Sequence, residues 1–479
     1  MATTDKSRAA PRRRPRIAVA GASGFIGSAL RHALAESYEV LALTRFREPA
    51  QSARDDDRVT WHCCDLFSLK ALRAGLAGID YAVYLVHSQA PSSRLTQANP
   101  RDMDLVLADN FAQVAAENGI KQIVFISGLM PEGFHISRLL WSRREVEMVL
   151  ASRGTPVTVL RAGLVVGRGG PGPSLMADFV RRLPLVPLPR AARSVTRPIA
   201  LVDLIRAIKY SLGRPEAYRG VFDVGGPDCL SYQAMLQQTA ETLGKRRWIF
   251  TLPLLPLGLA ATAARLVSGA PPSLVGPIIE SLPRDTIMRD NALQRLIDQG
   301  AVPFHVALQD ALDRAVPPRE HKRARARFDR PLIRRASLVR SIQRIILPPG
   351  QDAAWVAGNY FRWLERALWP FVRSHRDATG SWSLSLRFTP LQLLYLKRNP
   401  ALCTPQRQVF EISAGLLRRP TTNGSPRFEF QTLLDDRYTM AAIQDYAPAL
   451  PWYVYRWTQA IIHRWIMRHY QGHLARLAR

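Results

Sequence analysis

The sequence has few cysteines, and none has the spacing of a metal site or a disulfide framework. The four cysteines are Cys63, Cys64, Cys229 and Cys403, and no C-x-x-C pair is present. This distribution argues against a disulfide scaffold and a zinc site, and it is typical of a reducing compartment. We therefore expect a cytoplasmic protein that needs no metal.

Long hydrophobic runs are also missing. The arginine-rich start passes directly into an apolar strand, so we see no secretory signal. The most apolar later stretch, Pro253 to Ala264, is interrupted by proline and stopped by Arg265, which makes it too short to span a bilayer. Membrane association is therefore expected to be peripheral.

Acidic residues are scarce relative to basic ones. The 479 residues include 66 Lys and Arg against 38 Asp and Glu, which gives a formal net charge of +28. Such a charge favours nucleic acids or anionic membranes as partners. The excess is mostly arginine spread along the chain, without a basic and aromatic recognition module, so we expect no nucleic acid. Two local concentrations predict a disordered arm over residues 1–15 and a linker over residues 316–335.

The stretch from Arg16 to Leu34 carries the most informative pattern. The apolar run Ile17 to Ala20 is followed by glycines spaced G-x-x-G-x-x-G and then by a helical pattern. The first glycine permits a sharp exit from the strand, the second leaves room for phosphate, and the third allows close packing of helix on strand. This predicts a dinucleotide diphosphate at the helix N-terminus; the alternative is a similar unit whose loop holds no ligand. The predicted contacts are Gly21, Ser23, Gly24, Phe25, Ile26 and Gly27.

Strands and helices alternate after this motif. The helical pattern from Asp104 to Asn118 lies between two apolar runs of the kind that forms buried parallel strands. We therefore predict an α/β protein with a doubly wound parallel Rossmann sheet. The predicted strands after the first are Val40 to Thr44, Val59 to Cys64, Asp80 to Val86 and Gln122 to Ser127.

Polar residues follow three of these strands. Arg45, together with Arg47, favours NADP over NAD, because arginine accommodates the 2′-phosphate; the alternative is a solvated loop arginine. Asp65, followed by Leu66, either accepts a hydrogen bond from the adenine amino group or caps the helix starting at Ser68. His87 is placed either beside the nicotinamide or in a purely structural loop.

Several ordered blocks resemble one protein superfamily. Together they cover about the first 300 residues, and they resemble the extended or atypical branch of the short-chain dehydrogenases/reductases, similar to NAD(P)H-binding epimerase/dehydratase and NmrA-like proteins. The resemblance implies a nucleotide domain with a small substrate-binding part over residues 16–315. The blocks are GASGFIG, CDL after the third strand, YLVHS, FISGL, VTVLRAGLVVGRG, RPIALVDLIRAI and FDVGGPDCLSY.

The comparison with this superfamily reveals a departure. Active members use a Ser or Thr with a Tyr-x-x-x-Lys motif, in which the tyrosine exchanges a proton as hydride moves. If Glu147 occupies the usual acidic position, Arg143 replaces the lysine and Leu139 replaces the tyrosine. Ser127 then remains as a cofactor or substrate contact, and Arg143 can bind the nicotinamide ribose or a phosphate without serving as an adjustable base.

Three further segments complete this part of the chain. Leu164 to Gly172 is expected to form a flexible loop over the cleft. Arg197 to Ile199, with Asp203, resembles the segment that joins the nucleotide domain to its substrate part. Trp248 to Leu282 either roofs an apolar pocket or packs against the sheet.

A second domain is predicted over residues 336–479. Its expected element order resembles the helix-grip fold of START-like or SRPBCC-type proteins, an α+β fold that encloses apolar ligands. The expected elements are a strand at Leu338 to Leu347, a helix at Ala353 to Val372, strands at Trp382 to Phe388, Gln408 to Ile412, Arg427 to Leu434 and Thr439 to Tyr446, and a long final helix from Pro451.

The final helix has an aromatic and aliphatic side bordered by arginines. Such a helix either lies on an anionic membrane or covers a sheet with its arginines at the margins. The apolar residues are Trp452, Trp457, Ile461, Ile462, Trp465 and Ile466, and the arginines are Arg456, Arg464, Arg468 and Arg476.

These features predict an NADP(H)-binding oxidoreductase, with NAD as the second choice of cofactor. Its substrate is expected to be an apolar or quinone-like molecule, reduced without the usual tyrosine acid. The alternative is a non-catalytic redox sensor or assembly factor whose partner affinity changes on nucleotide binding.

Overall fold

The computed structural model describes residues 13–45, 58–87, 95–131, 136–269, 272–313, 338–420 and 426–478. The chain forms two compact units, which we call the N-terminal unit (up to residue 87, and 108–319) and the C-terminal unit (88–107, and 320 onward). The linker at 316–335, Arg47 and most of the basic arm lie outside the described residues. Among the described residues, no helix combines the length and apolarity needed to cross a bilayer.

A parallel sheet forms the centre of the N-terminal unit. Its strand order is β12-β7-β6-β4-β1-β2-β3, with every neighbouring pair parallel, which confirms the predicted doubly wound Rossmann fold. The strand order reverses between β1 and β4, and ligands bind at such reversals. The strands are β1 (Arg16–Ala20), β2 (Glu39–Thr44), β3 (Val59–Cys63), β4 (Tyr81–Tyr84), β6 (Gln122–Gly128), β7 (Val157–Ala162) and β12 (Val221–Val224).

Helices pack on this sheet around a core of mainly aliphatic side chains. Ile17, Val83 and Leu160 are fully buried, as expected for strands covered on both faces. The helices are α1 (Phe25–Ala35), α2 (Leu69–Gly75), α3 (Pro100–Glu117), α4 (Arg138–Ala151), α6 (Leu201–Ser211) and α10 (Ala292–Asp298).

A smaller part of the same unit contains three two-stranded pairings, β8 with β11, β9 with β14, and β10 with β13. Its strands are β8 (Val165–Val166), β9 (Leu185–Pro189), β10 (Val195–Thr196), β11 (Ile199–Ala200), β13 (Leu230–Ser231) and β14 (Trp248–Leu252). Its helices are α5 (Pro171–Arg182), α7 (Tyr232–Thr242), α8 (Leu257–Ser268), α9 (Pro272–Ser281) and α11 (Phe304–Leu312).

One sequence expectation for this part requires correction. Leu164 to Gly172 is not a single loop, because it contains β8 and the start of α5, where Pro171 occupies the first turn. Trp248 to Leu282 forms one strand and two helices. Ala264 and Val275 pack inward, whereas Trp248 keeps 76% of its surface exposed.

The C-terminal unit contains a mixed eight-stranded sheet in the order β16-β17-β18-β19-β20-β21-β15-β5. All its pairings are antiparallel except that between β15 and β5. The strands are β5 (Leu95–Ala98), β15 (Val339–Ile346), β16 (Val372–Arg376), β17 (Trp382–Leu386), β18 (Gln392–Arg398), β19 (Arg407–Ala414), β20 (Arg427–Leu433) and β21 (Tyr438–Tyr446). The helices are α12 (Ala353–Ala367), α13 (Trp452–Trp457) and α14 (Gln459–Leu477).

Aromatic rings fill the space between this sheet and its helices. Phe361 of α12 stacks on Trp382 with ring centroids 4.7 Å apart, and Tyr360 lies 5.0 Å from Tyr470 of α14. The predicted elements occur in the expected order, but the helix ends at Ala367, and β16 and β18 were not predicted. The resemblance to a helix-grip family remains a prediction.

The long final helix differs from its predicted form in two ways. It is divided at Thr458, whose backbone (φ −120°, ψ −90°) departs from helical geometry. It also covers the sheet with Ala460, Met467, Tyr470 and Leu474, a face that the sequence pattern did not identify.

Candidate functional site

The turn between β1 and α1 has the geometry expected of a phosphate-binding loop. Gly21 adopts a φ of +88°, which L side chains rarely tolerate, and its carbonyl accepts a hydrogen bond from the Gly24 amide at 2.9 Å. A Cβ atom at Gly27 would lie 2.3 Å from the Gly21 oxygen and 2.8 Å from the Ala22 Cα. Gly21 is therefore required by the backbone conformation of the turn, and Gly27 by the close packing of helix on strand.

Gly24 differs from the other two glycines. Among the described residues, a Cβ atom here would meet only the Gly21 carbonyl oxygen, at 3.1 Å, which is a single tight contact that leaves the rest of the space above Gly24 open. Gly24 occupies the helix cap, and it has no side chain that could accept hydrogen bonds from the first-turn amides of Phe25 and Ile26. Uncapped amides at a helix N-terminus attract anions. The space and the donors together suit a diphosphate.

The glycine turn lies at the reversal of strand order in the sheet. The Leu85 amide, just after β4, donates to the Ala20 carbonyl at the end of β1 at 2.9 Å. His87 follows two residues later and is half-buried. The structure therefore brings His87 and the glycine turn to the same edge of the sheet.

Arg45 and Asp65 follow β2 and β3, so they lie at this same edge. Arg45 is exposed, and Asp65 is half-buried. The Asp65 carboxylate accepts from the Phe67 amide at 3.1 Å, whereas α2 is capped by the Ser68 hydroxyl, which accepts from the Ala71 amide at 3.2 Å. The interpretation of Asp65 as the helix cap is therefore wrong.

Asn110 supports the loop after β3 and was not predicted from the sequence. Its side-chain amide donates to the Leu66 carbonyl at 3.2 Å, and the residue is fully buried in α3. The sequence offers no clear signal for this role, because α3 also carries Asp104, Asp109 and Gln113. Asn110 holds the backbone that carries Asp65 and Leu66.

Ser127 supplies a buried polar atom beside the expected cofactor site. It is the penultimate residue of β6, only 5% of its surface is exposed, and its hydroxyl has no hydrogen-bond partner within the described part of the chain. Burying a hydroxyl without a partner costs about 1–3 kcal/mol. A ligand at this strand end would satisfy it, so the residues present fit a nicotinamide nucleotide.

Helix α4 carries the substitutions for the usual tyrosine and lysine. Leu139 and Arg143 are half-buried and one turn apart, so they share a helix face. One turn further, Glu147 is buried in a bidentate pair with Arg161 of β7, at 2.7 and 3.1 Å, and accepts from Arg144 at 2.9 Å. Glu147 therefore fixes α4 to the sheet, and Leu139 offers no proton.

The segment predicted to join the two parts of this unit is held by backbone contacts. A Cβ atom at Gly163 would lie 1.9 Å from the Arg197 carbonyl oxygen, so β7 and this segment approach closely. Asp203 is fully buried and accepts from the Val302 amide at 2.8 Å. Burial raises the pKa of Asp203, against the opposing effects of that hydrogen bond and of Arg206. Gly163 and Asp203 therefore have structural roles.

Sequence comparison shows a family similarity over the first part of the chain. Residues 17–131 match the model of the NAD dependent epimerase/dehydratase family, beginning in β1 and including the glycine turn. The resemblance to the epimerase/dehydratase branch of the short-chain dehydrogenases/reductases is thereby confirmed for this segment.

Among individual proteins, the auxiliary protein GraX of Staphylococcus aureus is 32% identical over 126 residues, which are 26% of this chain and 40% of GraX. The match therefore spans well under half of that relative. The mitochondrial NADH dehydrogenase [ubiquinone] 1 alpha subcomplex subunit 9 of Arabidopsis thaliana is 24% identical over 292 residues, 58% of this chain and 71% of that subunit.

A solved structure shows the same fold. The NADPH-dependent quinone oxidoreductase QOR2 of Escherichia coli, complexed with NADPH, superposes with a TM-score of 0.50 at 18% identity. The similarity covers 62% of this chain and all (100%) of QOR2.

Proposed function

We propose that the N-terminal unit binds NADP(H) and acts as an oxidoreductase on an apolar or quinone-like acceptor. The observation that carries the proposal is the space over Gly24, beside the uncapped amides of Phe25 and Ile26. These amides would hold the diphosphate, because a helix N-terminus stabilises negative charge. The family match over residues 17–131 supports a nicotinamide nucleotide as the ligand.

The remaining residues at this edge of the sheet have roles along the nucleotide. Arg45 would contact the 2′-phosphate that distinguishes NADP from NAD, and Asp65 would accept a hydrogen bond from the adenine amino group. Ser127 and His87 would line the nicotinamide end. Arg143 would bind the nicotinamide ribose or a phosphate as a permanently charged group.

The absence of a tyrosine at position 139 narrows the class of acceptor. A bound NADPH supplies hydride, and reduction of a ketone also requires an acid to protonate a strongly basic alkoxide. Leu139 cannot supply that proton. A reduced quinone carries its negative charge on a phenolate-type oxygen, a much weaker base that water can protonate. The name of QOR2 describes such a quinone oxidoreductase that uses NADPH.

Gly24→Ala provides the direct test of the nucleotide site. We expect NADPH affinity to fall about tenfold or more, because the added methyl group occupies the space needed by the phosphates. Gly258→Ala is the control for adding a methyl group to a glycine, since an added Cβ there meets no atom of the described residues within 4 Å. Equal NADPH affinity in the two variants, or no NADPH binding by the native protein, would overturn the proposal.

A second candidate function is a nucleotide-dependent sensor or assembly factor. Leu139 and Arg143 favour it, because nucleotide binding does not need the missing acid. The relatives also support it, since one is named an auxiliary protein and another a subunit of NADH dehydrogenase. NADPH oxidation across a panel of quinones separates the two candidates. Turnover supports the oxidoreductase, whereas NADPH binding without turnover, combined with nucleotide-dependent capture of a partner, supports the sensor.

A further inference from the structure

Helix α14 has two apolar faces, of which only one contacts the sheet. Ala460, Met467, Tyr470 and Leu474 are buried against the core of the C-terminal unit. The Tyr470 hydroxyl donates to the Val356 carbonyl at 2.9 Å, which fixes the rotation of the helix.

The opposite side of the helix is apolar and exposed. At 3.6 residues per turn, Ile461, Ile462 and Trp465 project away from the buried face. Their exposed fractions are 49%, 55% and 45%, and Trp457 at the end of α13 reaches 69%. Together with Tyr453, which is 57% exposed, these residues form what we call the outer face. Clustered exposure of large apolar side chains marks an interaction surface.

The charged residues of the segment that carries the outer face are of one sign. Arg456, Arg464 and Arg468 are exposed beside the outer face. No aspartate or glutamate occurs between residues 446 and 479. Tryptophan and isoleucine bordered by arginine are typical of a helix that lies in a bilayer interface. The absence of acidic residues favours an anionic surface over a mixed protein interface.

We propose that the outer face docks on the surface of an anionic phospholipid bilayer. The aromatic and isoleucine side chains enter the boundary between headgroups and acyl chains, while Arg464 and Arg468 contact lipid phosphates. This docking requires no nucleotide, so it is independent of the function proposed for the N-terminal unit.

Vesicle flotation of the full chain tests this proposal. We expect binding to vesicles of phosphatidylcholine with about one third phosphatidylglycerol, weak binding to phosphatidylcholine alone, and release by salt. Arg464→Gln with Arg468→Gln is expected to weaken binding about thirtyfold, because each arginine near an anionic surface contributes about a factor of five. The matched control is Arg362→Gln with Arg366→Gln, which removes the same charge from exposed positions of α12.

A second variant tests the apolar contribution. Trp465→Ser is expected to weaken vesicle binding while leaving thermal unfolding and NADPH titration unchanged, because the side chain is exposed. The proposal is overturned if the native chain does not bind anionic vesicles, or if both double variants lose binding equally. It is also overturned if light scattering shows a dimer that Trp465→Ser dissociates while vesicle binding persists, since a second copy of the chain would then cover the outer face.

Discussion

The N-terminal and C-terminal units build their cores from different side chains. They also differ in whether a short sequence motif marks a site. The N-terminal sheet is parallel and packs aliphatic residues such as Val83 and Leu160, whereas the C-terminal sheet is mainly antiparallel and packs rings such as Phe361 and Phe430. A parallel sheet gathers its strand ends at one edge, so a short glycine motif can define a site there. The residues of the aromatic core are scattered along the sequence, so no short motif identifies them.

The largest effect that sharpens this comparison is expected for Phe361→Ala. Phe361 is fully buried and contacts Trp382 and Phe410, so its truncation should lower the free energy of unfolding of the C-terminal unit by about 3–5 kcal/mol. Urea unfolding measures this loss. NADPH affinity should stay within about twofold, because the glycine turn is in the other unit. Phe388→Ala is the control, since Phe388 is 88% exposed. If Phe361→Ala lost NADPH binding as well as stability, the nucleotide site would not be independent of the C-terminal core.

A buried ion pair occurs in each unit and should respond alike. Glu147→Gln leaves Arg161 buried without its counter-charge, and Glu429→Gln does the same to Arg407, which lies 2.7 Å from Glu429. We expect each variant to lose about 3 kcal/mol of stability, measured by chemical denaturation. Arg144→Gln is the control for the first pair, because it removes only the exposed partner of Glu147. A loss below about 1 kcal/mol in either unit would show that its pair is not desolvated.

The stability of the two units should depend differently on pH in mild acid. Burial lowers the pKa of His463 to about 4, and His463 lies 3.0 Å from the Ser341 hydroxyl. The folded state therefore keeps His463 neutral while the unfolded chain, with a pKa near 6.5, takes up a proton. Stability of the C-terminal unit should fall by about 2.5 kcal/mol as the pH drops from about 6.5 to about 4. The free energy of unfolding, measured across this pH range, should depend less on pH in the His463→Gln variant than in the native protein.

The N-terminal unit provides the contrasting pH dependence. Hydrogen bonds from Lys121 and from the Arg16 amide lower the pKa of Asp80, against a small opposing effect of burial. A lowered carboxyl pKa contributes stability that is present above its unfolded value, about 3.9, and is lost only below it. The Asp80→Asn variant should therefore differ from the native protein at neutral pH and converge with it in strong acid. Convergence already at pH 6 would contradict this assignment.

The smallest expected effect concerns cofactor choice. Arg45→Glu should lower NADPH affinity about tenfold relative to NADH, because a carboxylate repels the 2′-phosphate and suits the ribose hydroxyls. Parallel titrations of the two nucleotides measure the ratio. Arg295→Glu, an exposed change of the same charge on α10, should leave that ratio unchanged. A native protein that binds NADH more tightly would reverse the predicted preference.

The sequence predicted the N-terminal sheet well for a physical reason. Strands buried on both faces are continuous apolar runs, and Gly21 and Gly27 mark where β1 turns into α1. The sequence also predicted that Arg45, Asp65 and His87 follow strands and that Ser127 lies at the end of one. It did not show that Ser68 caps α2, because a carboxylate and a hydroxyl two to three residues apart are equivalent caps until the backbone is known.

The C-terminal unit was less predictable. Apolar spacing identified Ile461 and Trp465 as members of an apolar face, but α14 has two such faces, and only the tertiary packing of Met467 and Tyr470 shows which one meets the sheet. The strand β5 was missed altogether. It has four residues, and its pairing partner is more than 200 positions away in the sequence, so no local pattern predicts it.

The pairing of β5 has a consequence for synthesis of the chain. During translation, Leu95–Ala98 leaves the ribosome long before Val339–Ile342, the segment with which it pairs, has been made. Until then the backbone groups of Leu95–Ala98 lack the partners that Val339–Ile342 supplies, and unpaired strand-forming segments recruit other chains. Fragments that stop after the N-terminal unit never acquire these partners, so we expect them to aggregate during expression, whereas fragments that begin after residue 107 lack the last strand of their sheet.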